Sequence, residues 1–143
     1  MRKEEILSLE WDAHVDLNHG FILLHRTKGG QRREIPINQR VHGELQGLAR
    51  RVDSPYVFTD ARGKPFGDVK RAFHTACRRA GIHDFTFHDL RHTFASHLVM
   101  AGVDVPTVKE LLGHRTLSMT LRYAHLSPRH KANAVAFLDG PLG

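Results

Sequence analysis

From Gly81 onward the chain is divided into short lengths by residues that start and stop helices, and this punctuation restricts the fold more than any other feature. A basic amphipathic stretch over 69–80 is stopped by Gly81, a residue type that accepts the left-handed backbone at a helix end. Thr86 followed by Asp89 resembles a capping box, so a helix is predicted from about 87 to 100, ending at Gly102. Asp104 can cap a shorter helix with Pro106 in its first turn, where a missing N–H costs little, and Gly113 as its stop. Thr116 can cap a third helix reaching about Ala124. Ser127-Pro128 opens a fourth, running to Leu138 and ending before Gly140. The carboxy-terminal half is therefore expected to be helical, without internal repeats or low-complexity stretches.

The first half mixes helical and strand periodicity. Met1-Arg2-Lys3-Glu4-Glu5-Ile6-Leu7-Ser8-Leu9 reads as a helix already in progress, with Ile6 and Leu9 on one face and no capping residue ahead of it. That start predicts a chain lacking its amino-terminal part. Residues 11–18 form a connection with strand character, and Phe21-Ile22-Leu23-Leu24-His25-Arg26-Thr27 a buried strand. Lys28-Gly29-Gly30-Gln31 is a turn, and 32–37 a return strand ended by Pro36 and Asn38. Residues 39–50 suit a helix and 52–66 a loop. The expected class is mainly α with a small antiparallel β-sheet (α+β), in one domain, since 143 residues leave little room for two.

Composition bounds the partners. Hydrophobic residues make up 41%, enough for an ordinary core. Lys plus Arg exceed Asp plus Glu by 21 to 15, and a pI near 10.0 favours nucleic acid or another acidic partner. The single Cys77 excludes an internal disulfide and fits a reducing compartment. No apolar run approaches the roughly 18 residues that span a membrane, and no signal peptide opens the chain. A cytoplasmic protein that does not meet a membrane is expected.

The chemistry concentrates in the helical half. At about 100° per residue, Phe87, Leu90, Phe94, Leu98 and Ala101 form one apolar stripe, with His88 and Arg91 adjacent on its flank. Both lie in the first turns, where free amides and the helix dipole favour an anion, so they can form a phosphate-binding pair or simply a solvated flank. Leu117, Leu121 and Ala124 set the core face of the next segment, and Tyr123 falls roughly 120° from it. A tyrosine there is ordinarily amphipathic surface or a half-buried packing residue. His114, after Leu111-Leu112-Gly113, sits where a helix ends and a side chain can enter a cleft. Two rival readings remain. His88 and His92, at i and i+4, have spacing for zinc, but no Cys pair supports a site, and His92 and His97 suit packing or hydrogen bonding better. Residues 104–125 also have the look of a helix-turn-helix, which would make the chain a non-catalytic DNA-binding module.

His88-Asp89-Leu90-Arg91-His92-Thr93-Phe94-Ala95, then Leu111-Leu112-Gly113-His114, then Tyr123 nine residues on, resemble the signature of the tyrosine recombinases, the phage-integrase type. The likeness extends upstream. Arg2-Lys3-Glu4-Glu5-Ile6-Leu7-Ser8-Leu9-Glu10-Trp11 is similar to the family's first arginine motif, and Thr27-Lys28-Gly29-Gly30 to the hairpin that carries its lysine. The resemblance implies the recombinase catalytic-domain fold over 1–143, without the family's amino-terminal DNA-binding domain and first helices. It implies that Tyr123 attacks the scissile phosphate to form a 3′-phosphotyrosyl link. Arg2 and Arg91 would clamp the non-bridging oxygens, a task suited to a guanidinium fork. Lys28 would protonate the departing 5′ oxygen, His88 would assist proton transfer to or from the nucleophile, and His114 would hydrogen-bond a phosphate oxygen. No cofactor or metal is implied. The partner would be double-stranded DNA, with the full-length protein a homo-oligomer, a tetramer on DNA. A type IB topoisomerase would share this chemistry but release relaxed DNA. The residue types also stand up physically: a tyrosine hydroxyl, ordinarily near pKa 10, needs help to lose its proton, and a phosphodiester transition state needs positive donors already in place.

Overall fold

The β-hairpin of the first half is built on alternation. The computed structural model describes residues 1–25, 32–127 and 135–139, in two units, residues 1–88 and 89–143. In the first unit, α1 (Lys3–Leu7) and α2 (Trp11–His14) precede a three-stranded antiparallel sheet of β1 (Val15–Asp16), β2 (Phe21–Leu24) and β3 (Arg33–Pro36), in that order. In β2, Ile22 and Leu24 are buried while their neighbours are half-buried, the period-2 pattern of a strand with one face on a core. The register pairs Ile22 with Val15 on one side and Ile35 on the other. Leu9, Trp11, Ile22, Leu24, Leu45 and Val57 form the core cluster beneath it.

Two sequence expectations change here. Residues 1–9 are not a helix in progress, because Arg2 is extended (φ −85°, ψ 160°) and serves as the N-cap of α1. Its backbone N–H donates to Glu5 Oε2 at 2.7 Å, so the acidic side chain one turn on supplies the cap that no serine or threonine provides. Residues 11–14 of the supposed strand-like connection turn once as helix before entering β1. The long loop is held by backbone: Val57 N–H donates to the Leu9 carbonyl at 2.8 Å and Trp11 N–H to that of Pro55 at 2.9 Å. α3 (Gln39–Gly47) is capped by Asn38, whose side chain accepts from Val41 N–H, and α4 (Lys70–Arg79) follows the loop.

The second unit contains α5 (Asp89–Met100), α6 (Val105–Leu112) and the single turn α7 (Ser118–Leu121), then a 3-10 turn at Ala124–Leu126. Asp104 caps α6 by accepting from Thr107 N–H, and Gly113 closes it in the left-handed conformation (φ 66°, ψ 41°). Its core is Ala95, Val99, Val108, Leu112 and Tyr123. The expected apolar stripe of α5 is not its buried face. Leu90 and Phe94 are exposed, and the helix turns Ala95 and Val99 inward. A small residue at 95, with no exposed surface at all, admits the closely packed neighbours that a Phe would hold off. The third helix is likewise shorter than expected: Leu117, not Thr116, is its N-cap, and it ends before Tyr123. The expected fourth helix falls mostly in 128–134, outside the described residues; a 3-10 turn occupies Phe137–Asp139.

Candidate active site

Arg91, His114 and Tyr123 are fixed within the helical unit by separate contacts. Arg91, in the first turn of α5, donates through a terminal guanidinium nitrogen to the carbonyl of Leu112, the last residue of α6. That carbonyl belongs to the last turn of α6, so a cation there is also favoured by the helix dipole. Gly113 then reverses the chain, and His114 follows it half-buried. The Nδ1 of His114 lies 2.8 Å from the hydroxyl of Thr120, itself fully buried on α7. Two contacts therefore bracket the Leu112–His114 corner, one to a guanidinium from α5 and one to a hydroxyl from α7.

Tyr123 corrects the helical-wheel expectation. It is not on the flank of a helix running to Ala124 but at the N-cap of the 3-10 turn, and only 6% of it is exposed. Leu117 and Leu121, expected in the core, are exposed instead, and Thr120 takes the buried position. Arg122 and Tyr123 keep right-handed helical backbone angles, so the wheel failed in its choice of inner face: hydrophobicity favoured Leu117 and Leu121, whereas the buried side carries Thr120 and, three residues on, Tyr123. The tyrosine's hydroxyl is hydrogen-bonded to Nδ1 of His92, the rings tilted by 45° with centroids 6.0 Å apart. Its ring carries the Arg122 guanidinium at 5.7 Å. His92 thus has the hydrogen-bonding role expected of it, but with a partner that the sequence did not reveal. The available signal was its register, three and seven residues before the buried Ala95 and Val99.

The other candidates belong to the first unit. Arg2 is half-buried at the N-cap of α1, and Glu5, which receives its N–H, also accepts from Arg33 on β3 at 2.9 Å. The motif that carries Arg2 is therefore tied to the hairpin through a carboxylate. Lys28 lies outside the described residues, between the paired ends Leu24 and Arg33 of β2 and β3. His88 is exposed and immediately precedes α5. As to the rival readings, α7 is a single turn, too short for the second helix of a helix-turn-helix. Among the described residues no three His, Cys, Asp or Glu side chains converge as a metal site. No helix among them is long and apolar enough to cross a membrane.

The profile of the Phage integrase family matches residues 1–130. The chain belongs to that family. The integrase of Salmonella phage P22 is 31% identical to it over 157 aligned positions, covering 100% of this chain and 40% of that protein. Among solved structures, the catalytic domain of bacteriophage HP1 integrase is 34% identical with a TM-score of 0.70, covering 99% of this chain and 76% of that one. The Tn1549 transposon integrase, solved in complex with a circular intermediate DNA, shares the fold at a TM-score of 0.74 and 22% identity, over 94% of this chain and 54% of that one. This phage-integrase chain spans less than half the length of other relatives that it matches over 94% of its own residues. The mainly helical α+β class with a small antiparallel sheet is the architecture of the integrase catalytic domain.

Proposed function

We propose that residues 1–143 are the catalytic part of a site-specific tyrosine recombinase, which cuts and rejoins double-stranded DNA through a covalent bond between Tyr123 and a 3′ phosphate. The observation that carries this reading is the arrangement of the helical unit: a tyrosine hydroxyl, an arginine and a histidine are each held by a specific polar contact around one small core. In this reading the Tyr123 oxygen attacks phosphorus, the bond to the 5′ oxygen breaks, and the 5′ oxygen leaves with a proton from Lys28. Arg91 and Arg2 neutralise the non-bridging oxygens, His114 donates to one of them, and His88 assists proton transfer. The phosphotyrosyl link retains the energy of the broken bond, so the 5′ hydroxyl of a second strand can reverse the step without a nucleotide cofactor. A net charge of +6 suits a phosphate-backbone partner. Exchange between two duplexes requires two pairs of protomers, hence a tetramer on DNA in the full-length protein, acting where DNA is kept, in the cytoplasm.

The test is capture of the covalent adduct. Nicked duplexes with randomised sequence around the nick lose the short 5′-hydroxyl strand on cleavage, which traps the protein on DNA. A band that survives denaturing electrophoresis is expected for the unaltered chain and absent for Tyr123→Phe. An adduct of equal amount in Tyr123→Phe would overturn the assignment. Exchange of strands between two labelled duplexes, rather than relaxation of a supercoil, separates the recombinase from a topoisomerase.

A further inference from the structure

In the first unit, one oxygen of Glu5 serves two donors. Its Oε2 accepts the backbone N–H of Arg2 at 2.7 Å and an Nη2 hydrogen of Arg33 at 2.9 Å. The ion pair is shielded from water: the Arg33 and Glu5 side chains are 14% and 17% exposed, against 34% and 51% for Lys3 and Asp68, another ion pair of α1. A shielded carboxylate that loses its cation is left uncompensated, which costs far more than a surface pair is worth. The cation also comes from a fixed place. Arg33 opens β3 opposite Leu24 of β2, so its backbone is held in the sheet ladder. In contrast, α1 has five residues, too few to be stable alone, and it depends on its cap.

An acidic side chain three residues from a phosphate-binding arginine is also a rival for it. A guanidinium pairs with a carboxylate as well as with a phosphate. Without Arg33, Glu5 would be free to turn from the Arg2 N–H to the Arg2 guanidinium, and its negative charge would oppose an approaching phosphate. We propose that Arg33 is a positioning residue for Arg2. By occupying the Glu5 carboxylate, it preserves the cap at the Arg2 N–H and leaves the Arg2 guanidinium to the scissile phosphate. The inference rests on the reading of Arg2 as a clamp on the non-bridging oxygens. Arg33 needs no contact with DNA in this role, since its charge is used at Glu5.

The test compares two substrates cleaved by the same protein. A sequence captured by the unaltered chain from the randomised nicked duplexes is remade with either a phosphodiester or a methylphosphonate at the cleaved position. The methyl group removes the negative charge that a clamp must neutralise, so cleavage then depends less on Arg2. Release of the short 5′-hydroxyl strand is timed for each substrate. Arg2→Ala and Arg33→Gln should both slow cleavage of the diester by about 30-fold or more and leave that of the methylphosphonate nearly unchanged. Both rates come from one preparation, so the fraction of folded protein cancels in their ratio. Arg33→Lys should keep most of the diester rate, since an ammonium can neutralise Glu5 as a point charge. The double variant Glu5→Gln, Arg33→Gln should regain most of it too, because glutamine caps the Arg2 N–H without a competing charge. A ratio in Arg33→Gln equal to that of the unaltered chain would overturn the proposal, since a merely structural Arg33 would slow both substrates alike. A folded double variant that stays slow on the diester would overturn it as well, even where Arg33→Gln alone does not fold. Diester cleavage unchanged in Arg2→Ala would instead reject the clamp reading of Arg2.

Discussion

Thr120 is fully buried, and its hydroxyl lies 2.8 Å from Nδ1 of His114. A threonine inside an apolar core is poorly explained by packing alone, since valine would fill the same space without a hydroxyl to satisfy. Its position becomes intelligible as the group that fixes the ring of His114 and thereby decides what Nε2 can offer. Thr120→Val should therefore lower stability by only about 1 kcal/mol, the usual net worth of such a bond. Adduct formation should fall by about tenfold, while Thr120→Ser retains most of it. Thermal melts and the adduct assay on the three proteins check this; equal adduct yield in Thr120→Val would show that His114 needs no such support. Neither the threonine's partner nor His92's was legible in the sequence, because each contact joins segments whose relative placement depends on the chain turns between them, the bend at 115–117 for the threonine and the corner at Gly113 as well for His92.

At the scale of elements, α1 is a short helix joined to other parts of its unit by charge. Lys3 Nζ donates to Asp68 at 2.9 Å, linking it to the segment ahead of α4. The hydrogen bond from Lys3 holds the Asp68 carboxyl below its ordinary 3.8, and the same bond holds the Lys3 ammonium above its ordinary 10.5. The signs follow. The depressed carboxyl stabilises the fold above 3.8, and this is lost as pH falls through its lower folded value; the raised ammonium stabilises it below 10.5, and this is lost as pH rises through the higher one. Both groups face solvent, so the effect is small and weakened by salt. The urea midpoint of the chain should exceed that of Asp68→Asn by a constant margin between about pH 5 and pH 9 and by none at either extreme. A margin that persists at about pH 2 would show that the substitution acts otherwise than through this ion pair.

For the whole molecule the informative quantity is the distribution of its positive charge. Lys70, Arg71, Arg78 and Arg79 are all exposed on α4. If these cations meet a phosphate backbone, each phosphate neutralised contributes about 0.9 to the slope of log affinity against log salt. Binding to a duplex, followed by fluorescence anisotropy, should be weak for these 143 residues and should fall steeply with salt. Arg71→Ala combined with Arg78→Ala should reduce the slope by about 2. An unaltered slope would remove α4 from the DNA-binding surface.

The sequence by itself determined the local features. Asp104, Pro106 and Gly113 marked the ends of α6, Ile22 and Leu24 the buried face of β2, and the order Arg, Lys, His-Arg, His, Tyr the family. Each of these depends on residues close in the chain or on a fixed linear pattern. Tertiary structure decided which face of α5 is buried, where α7 stops, and that Tyr123 lies in the core with its hydroxyl on His92. Helical periodicity assigns an inner face by hydrophobicity, which favoured Leu90 and Phe94. Close packing chose the small Ala95 instead, because neighbouring segments can approach an alanine and a phenylalanine would keep them apart.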